Sequence, residues 1–313
     1  MDKAILASAG ADGTVRLWSP ASKEDESIAI NAHKKDVNCL DFGSESSSLL
    51  LSCSNDKTAK IWHLPSQKFA CSFNGHMNWV RVAKFSPDSR LVATGSDDKT
   101  VKIWDYCHYS SSKDPCISTF NSYSLGVTAL DFHPDRTILA SASSDIKFWD
   151  LRSNSLIQHY PSSIVSGSVS TIAFHPSGNF LLSTNRNGKA TIWDVREGRF
   201  LADFDMSHQR SESKGCVGAR FSSCGKSLIT GGTQRSAKLW STKNLNLTFD
   251  FVQGTSSFTS HSAVFNEEQH PTESKSGSQQ DVINTRRHMR KADESSSLAR
   301  SLSTIFSNSA NGK

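Results

Sequence analysis

A chain of 313 residues, 36% apolar and 21% charged, can fill one large domain or two ordinary ones. Its net charge of +5 is mild, and the seven acidic and seven basic residues from Asp250 onward cancel, so nothing in the balance calls for nucleic acid. No window approaches the run of about 18 apolar residues that a membrane-crossing helix needs, and the opening MDKAILASAGADG lacks the charged and apolar regions of a secretory signal. Seven cysteines without a CxxC pair argue against a disulfide frame or a zinc site. Cys39, Cys53, Cys71 and Cys216 fall in or beside apolar runs, as small buried residues of a reducing compartment would.

Short runs with period-two alternation, joined by tight polar turns, follow one another along the chain and predict antiparallel strands. ILASAG, the ADGT turn and VRLW come first, with SIAIN after them and no strand before them. VNCLDF, LLLSCS and AKIW follow His33. The stretch Gly75–Asp105, GHMNWVRVAKFSPDSRLVATGSDDKTVKIWD, is the fullest copy. Next come VTALDF, ILASAS and IKFW; then STIAF, FLLSTN and ATIW; then VGARF, SLITGG and AKLW. Trp18, Trp62, Trp104, Trp149, Trp193 and Trp240 each close one set, at spacings of 44, 42, 45, 44 and 47 residues, while Trp79 stands out of register.

A repeat of this period closed by Trp-Asp resembles the WD40 repeat, one four-stranded propeller blade per copy. The expectation is an all-β propeller over residues 1–252 with about six recognisable blades, the first incomplete. Residues 253–313 are Ser-rich and polar, which predicts a mostly disordered tail. Within it, Leu298, Leu302, Ile305 and Phe306 mark one face of a short helix near 293–306 that a partner could induce, and SFTSHSAVF could supply the strand missing from the opening blade.

The polar residues of each repeat have a structural reading. His33, Asp56 and Trp62 in one copy, and His76, Asp98 and Trp104 in the next, fit a buried network in which His meets a hydroxyl of the second strand, Thr94 or Ser96 in the latter copy. A Ser-His-Asp catalyst would need an exposed nucleophile, and these groups stack inside blades. Later copies decay: Asn187 and Gln234 replace the turn Asp, SSDIKFWD shortens a turn, and Tyr123 stands near the place of a His, so these blades should be less rigid. CGKS at 224–227 lacks the earlier glycine of a phosphate loop, since position 220 is Arg220, and it joins two strands. HExxH, GxSxG and GxGxxG do not occur. Neither an enzyme, a cofactor nor a metal is expected, and RRHMRK reads as part of a solvated tail.

HMNWVRVAKFSPDSRLVATGSDDKTVKIWD, LIQHY at 156–160, FHPSGNFLLST at 174–184 and EGRFL at 197–201 resemble the proteome-of-centriole family, WD40 proteins of centrioles and basal bodies. The likeness runs from the first residues to about Lys243. It implies a seven-bladed ring with a C-terminal coiled coil, centriolar and basal-body partners (microtubule-associated proteins among them), and a place in the cytoplasm and cytoskeleton at the centriole, centrosome or basal body. It implies a non-catalytic scaffold that supports centriole assembly, stability and cilium formation, with neither nucleic acid nor membrane as partner. By this likeness the chain begins inside the second repeat, as a fragment, a mispredicted start or a shortened isoform would, and its tail lacks sustained heptads. Trp79 beside Arg81 has the composition of an interface hot spot, unless Trp79 packs on a neighbouring blade. Trp149-Asp-Leu-Arg152 and Trp193-Asp-Val-Arg196 resemble the WDxR signature of substrate receptors of cullin-type ubiquitin ligases, unless each Arg pairs with a local Asp.

Overall fold

A computed structural model describes residues 5–19, 27–44, 48–109, 115–161, 165, 167–185, 187–205, 216–232, 236–242, 247–252 and 263–265. Their regular elements form six antiparallel four-stranded sheets, the blades of a propeller. From the inside outward, blade one is Ala263–Phe265, Leu6–Ala9, Thr14–Trp18 and Ser27–Asn31. Blade two is Val37–Phe42, Leu49–Ser54, Thr58–His63 and Lys68–Asn74. Blade three is Val80–Phe85, Leu91–Ser96, Val101–Asp105 and Cys116–Phe120. Blade four is Ala129–Phe132, Ile138–Ala142, Ile146–Asp150 and Ser155–Tyr160. Blade five is Val169–Phe174, Phe180–Asn185, Lys189–Asp194 and Arg199–Asp205, and blade six is Cys216–Phe221, Ser227–Gly232, Ser236–Ser241 and Leu247–Val252.

The ring draws on a strand beyond residue 252. Ala263–Phe265 pairs antiparallel with the opening strand, setting Leu6 opposite Phe265, Ala7 opposite Val264 and Ser8 opposite Ala263. Without it, Leu6–Ser8 would present an open sheet edge, which is costly inside a closed ring. The helix expected near 293–306 lies outside the described residues.

Burial follows strand position. The second strands Leu49–Ser54 and Phe180–Asn185 are buried at every residue, because neighbouring blades cover both of their faces. The outer strand Lys68–Asn74 is buried only at Cys71 and Phe73. The apolar core is therefore a series of layers between blades. One layer joins Leu51, Ile61 and Phe73 of blade two to Val80, Phe85 and Trp104 of blade three. The next joins Val101, Ile103 and Phe120 to Leu139 and Trp149.

Aromatic pairs cross the same seams: Phe73 to Trp104 at 5.3 Å between ring centres, Phe120 to Trp149 at 4.3 Å, and Tyr160 to Trp193 at 4.5 Å. The inner strands add polar ties. Asp41 of blade two is buried, accepts the Phe85 amide of blade three at 2.9 Å, and pairs with the Lys84 amine at 2.8 Å. Asp131 of blade four makes the same backbone tie to blade five, two seams on, accepting the Phe174 amide at 2.7 Å.

Candidate interaction face of blades two and three

The buried polar network comes first, because it fixes the loop that carries the candidate contact residues. In blade three, His76 Nδ1 lies 2.8 Å from Asp98 Oδ2, and Nε2 lies 2.7 Å from the Thr94 hydroxyl. The Trp104 indole donates to the same hydroxyl at 2.8 Å. One tautomer satisfies all three groups: Nδ1–H donates to the carboxylate, and Nε2 accepts from Thr94. Ser96, the other hydroxyl of that strand, instead donates to the Asn78 carbonyl at 3.2 Å. Burial pushes His76 below its ordinary value, against the pull of Asp98. Burial alone would raise Asp98, but bonds from Thr100, the Met77 amide and His76 hold it below the usual carboxylate range.

Blade two repeats the arrangement. His33 meets Asp56 at 2.9 Å and Ser52 at 2.8 Å, and the Trp62 indole donates to Ser52 at 3.0 Å. Blade four departs from it. The Tyr123 hydroxyl takes the place of the imidazole, 2.6 Å from Ser141, and the Trp149 indole donates to both oxygens, at 2.7 and 2.9 Å. The shortened turn turns Asp145 away to Lys147 at 3.1 Å and His159 at 2.8 Å. Ser143 Oγ and Asp145 Oδ1 are then left buried without a partner among the described residues. In the remaining blades the indole still finds its hydroxyl: Trp18 to Ser8 at 2.9 Å, Trp193 to Ser183 at 2.8 Å and Trp240 to Thr230 at 2.9 Å.

The network clamps the loop before strand Val80–Phe85 at two points. Asp98 Oδ2 accepts the Met77 amide at 2.9 Å, and the Asp97 amide donates to the Trp79 carbonyl at 2.9 Å. Trp79 is 40% exposed, the most open of the indoles described. The Arg81 guanidinium carbon sits 4.8 Å from its ring centre. Both Nε and Nη2 of Arg81 reach Asp97 Oδ2, at 2.9 and 2.8 Å. Arg81 can do so because it is the extra residue of a β-bulge between Val80 and Val82, which re-aims its side chain toward the loop end. Asn38 holds the matching bulge in blade two and bridges the blades, donating to Asn55 Oδ1 at 2.8 Å and the Val80 carbonyl at 2.7 Å.

Two residues that sequence reasoning passed over complete this face. Met77 is 78% exposed and Leu125 57% exposed. Leu125 is held close by Gly126, where any Cβ would come within 2.5 Å of Asp97 Oδ1. Asp97 itself was legible as the residue beside the turn Asp, but its pairing with Arg81 depends on the bulge. The seam aromatics had a plainer signal: Phe73 stands three residues before His76, and Phe120 three before Tyr123.

Arg152 and Arg196 occupy equivalent turns of blades four and five, and both are exposed. Asp150 and Asp194 are spent on backbone, accepting the Arg152 and Arg196 amides at 2.7 and 2.9 Å. Among the described residues, no carboxylate lies within 4.0 Å of either guanidinium.

Six four-stranded blades, each tied by an indole–hydroxyl bond, define a repeat-built β-propeller. The profile of the WD domain, G-beta repeat family matches residues 2–19, 26–63, 67–105, 114–150 and 154–194, more than half of the chain, and the chain belongs to the WD40 repeat family. It is 31% identical over 209 residues to pre-mRNA-processing factor 19 homolog 2 of Arabidopsis thaliana, covering 64% of this chain and 38% of that protein. It is 28% identical over 237 residues to nuclear distribution protein PAC1 of Arthroderma otae, covering 66% of this chain and 50% of that protein. Autophagic-related protein 16.2 of Caenorhabditis elegans is 28% identical over 256 residues, covering 79% of this chain and 45% of that protein. The chain thus spans half or less of the length of these relatives.

Two stability measurements test the network. Thr94→Val strands both His76 Nε2 and the Trp104 indole, and should cost about 2 kcal/mol in urea unfolding, whereas Tyr123→Phe should cost about 1 kcal/mol because Trp149 keeps Ser141. Equal costs would contradict this assignment. The second test is pH. His76 is held neutral in the fold, so the unfolded chain takes up its proton first, below about pH 6.5, and stability must fall as pH drops through that range. Asp98, depressed in the fold, adds a further loss below about pH 4. The urea midpoint should therefore be lower at pH 5 than at pH 7, and the gap should narrow in His76→Gln.

Proposed function

We propose that this chain is a non-catalytic protein-interaction scaffold of centrioles and basal bodies, supporting centriole assembly and stability and cilium formation. Its partners are other centriolar and basal-body proteins, microtubule-associated proteins among them, and its place is the cytoskeleton at those structures. The observation that carries the reading is a coincidence of likeness and exposure. HMNWVR, the segment that most sets this chain apart from a general WD40 repeat, is also the one whose aromatic stands out of the ring, braced on Arg81. A rigid aromatic beside a pinned guanidinium is what an interface anchor requires. A tagged copy in ciliated cells should concentrate at centrioles or basal bodies; a diffuse cytosolic signal would overturn the reading.

A second reading, a WDxR-type substrate receptor of a cullin-RING ubiquitin ligase, is favoured by one observation. Arg152 and Arg196 stand exposed in adjacent blades, and neither guanidinium meets a carboxylate among the described residues. On that reading the Arg152→Ala, Arg196→Ala double variant loses co-precipitation with the ligase adaptor; undiminished co-precipitation removes it.

A further inference from the structure

The exposed apolar trio Met77, Trp79 and Leu125 does not stand on a neutral surface. Lys34 and Lys35 lie in the loop entering blade two, and Lys57 and Lys99 at the turn tips of blades two and three. The backbone places all of them at one end of the ring. Lys34 N donates to Asp56 Oδ2 at 3.2 Å, so its loop lies on the turn that carries Lys57. Met77 N donates to Asp98 Oδ2 at 2.9 Å, so its loop lies on the turn that carries Lys99. The Asn38 side chain joins the two halves by its bonds to Asn55 Oδ1 and the Val80 carbonyl.

The two signs of charge are treated differently at this end. In blades two and three the Asp56 and Asp98 side chains are 10% and 9% exposed, bound to their histidines, Asp97 is occupied by Arg81 and Asp36 accepts from the Asn55 side-chain amide, while Asp12 on the adjoining turn of blade one faces out at 56%. The four lysines turn outward, all exposed. Among the described residues, none of their amines has a carboxylate within 4.0 Å. The face therefore offers a braced aromatic and two apolar side chains beside four exposed lysines without an ion-pair partner among the described residues.

We infer that this end of blades two and three binds an acidic peptide segment of another protein, one that carries an aromatic or aliphatic residue between its carboxylates. The apolar residue of the partner packs on Trp79, Met77 and Leu125, and its flanking carboxylates meet Lys34, Lys35, Lys57 and Lys99. Rim charges of this kind speed association and select by sign, and the desolvated aromatic carries most of the affinity. The inference deepens the scaffold reading and rests on it, but the two fail separately. A centriolar focus that persists in Trp79→Ala leaves the scaffold standing and removes this face.

A random 12-residue peptide phage library panned against the full chain is the test. Enriched peptides should hold Asp or Glu on both sides of an aromatic or aliphatic residue. Synthetic copies of them should bind at least about tenfold more weakly to Trp79→Ala and to the Lys34→Glu, Lys99→Glu double variant. The double variant changes only exposed side chains, so it remains informative if Trp79→Ala disturbs the fold. Affinity should also drop as salt rises from about 50 to 300 mM, since exposed charges are screened. Enrichment of basic or uncharged peptides, retention of binding by both variants, or no enrichment at all overturns the inference. So does equal binding of a single-stranded oligonucleotide of matching charge, which would assign the face to nucleic acid. Trp79-dependent self-association without peptide, seen by sedimentation, would assign it to a second copy of the chain and likewise overturn it.

Discussion

An indole N–H buried between two sheets must find an acceptor, and in this ring it always finds a hydroxyl on the second strand of its own blade. That bond sets how the third strand lies on the second, and so where the large aromatic body projects into the seam with the preceding blade. Phe73, Phe120 and Tyr160 then pack on the next Trp. The rest of the polar network is variable around this point. A His with a turn Asp completes it in blades two and three, and a Tyr does so in blade four. What cannot vary is a partner for the indole, because a buried unpaired donor costs about 1–3 kcal/mol.

The same bonds connect fold to function. His76 and Asp98 are bound to each other inside the blade, yet the Asp98 carboxylate also holds the Met77 amide, and the neighbouring Asp97 holds both the Trp79 carbonyl and the Arg81 guanidinium. A loop that would otherwise be free to move is tied to the blade at its base, with its aromatic left outside. An exposed aromatic held this way would lose little conformational freedom on meeting a partner, which is the usual cost of ordering an interface side chain.

Most of the ring could be read from residue order, because the Trp register, the alternating runs and the turn Asp positions are local patterns. Two features could not, and a third could be placed but not bounded. Thr94 and Ser96 lie two apart on one strand and share a face, so only the reach of His76 separates them. The closing strand Ala263–Phe265 falls within the SFTSHSAVF stretch expected to complete the opening blade, but three residues in Ser-rich surroundings give periodicity too little to fix its bounds, and its partner is some 255 positions away at Leu6–Ser8. The pairing of Arg81 with Asp97 depends on a bulge, which moves one side chain out of the alternation that a reader of sequence counts on. Exposure of Trp79, the property on which its role turns, follows from that pairing and not from its neighbours in sequence.

The central claim is that six indoles are hydrogen-bonded within their blades and the seventh, Trp79, is open to solvent. Hydrogen exchange of the seven Trp side-chain N–H groups, followed by nitrogen-15 NMR on the intact chain, measures this directly. The account predicts six slowly exchanging indole signals and one fast signal that disappears in Trp79→Phe. Two or more fast indoles, or a protected Trp79, would contradict it.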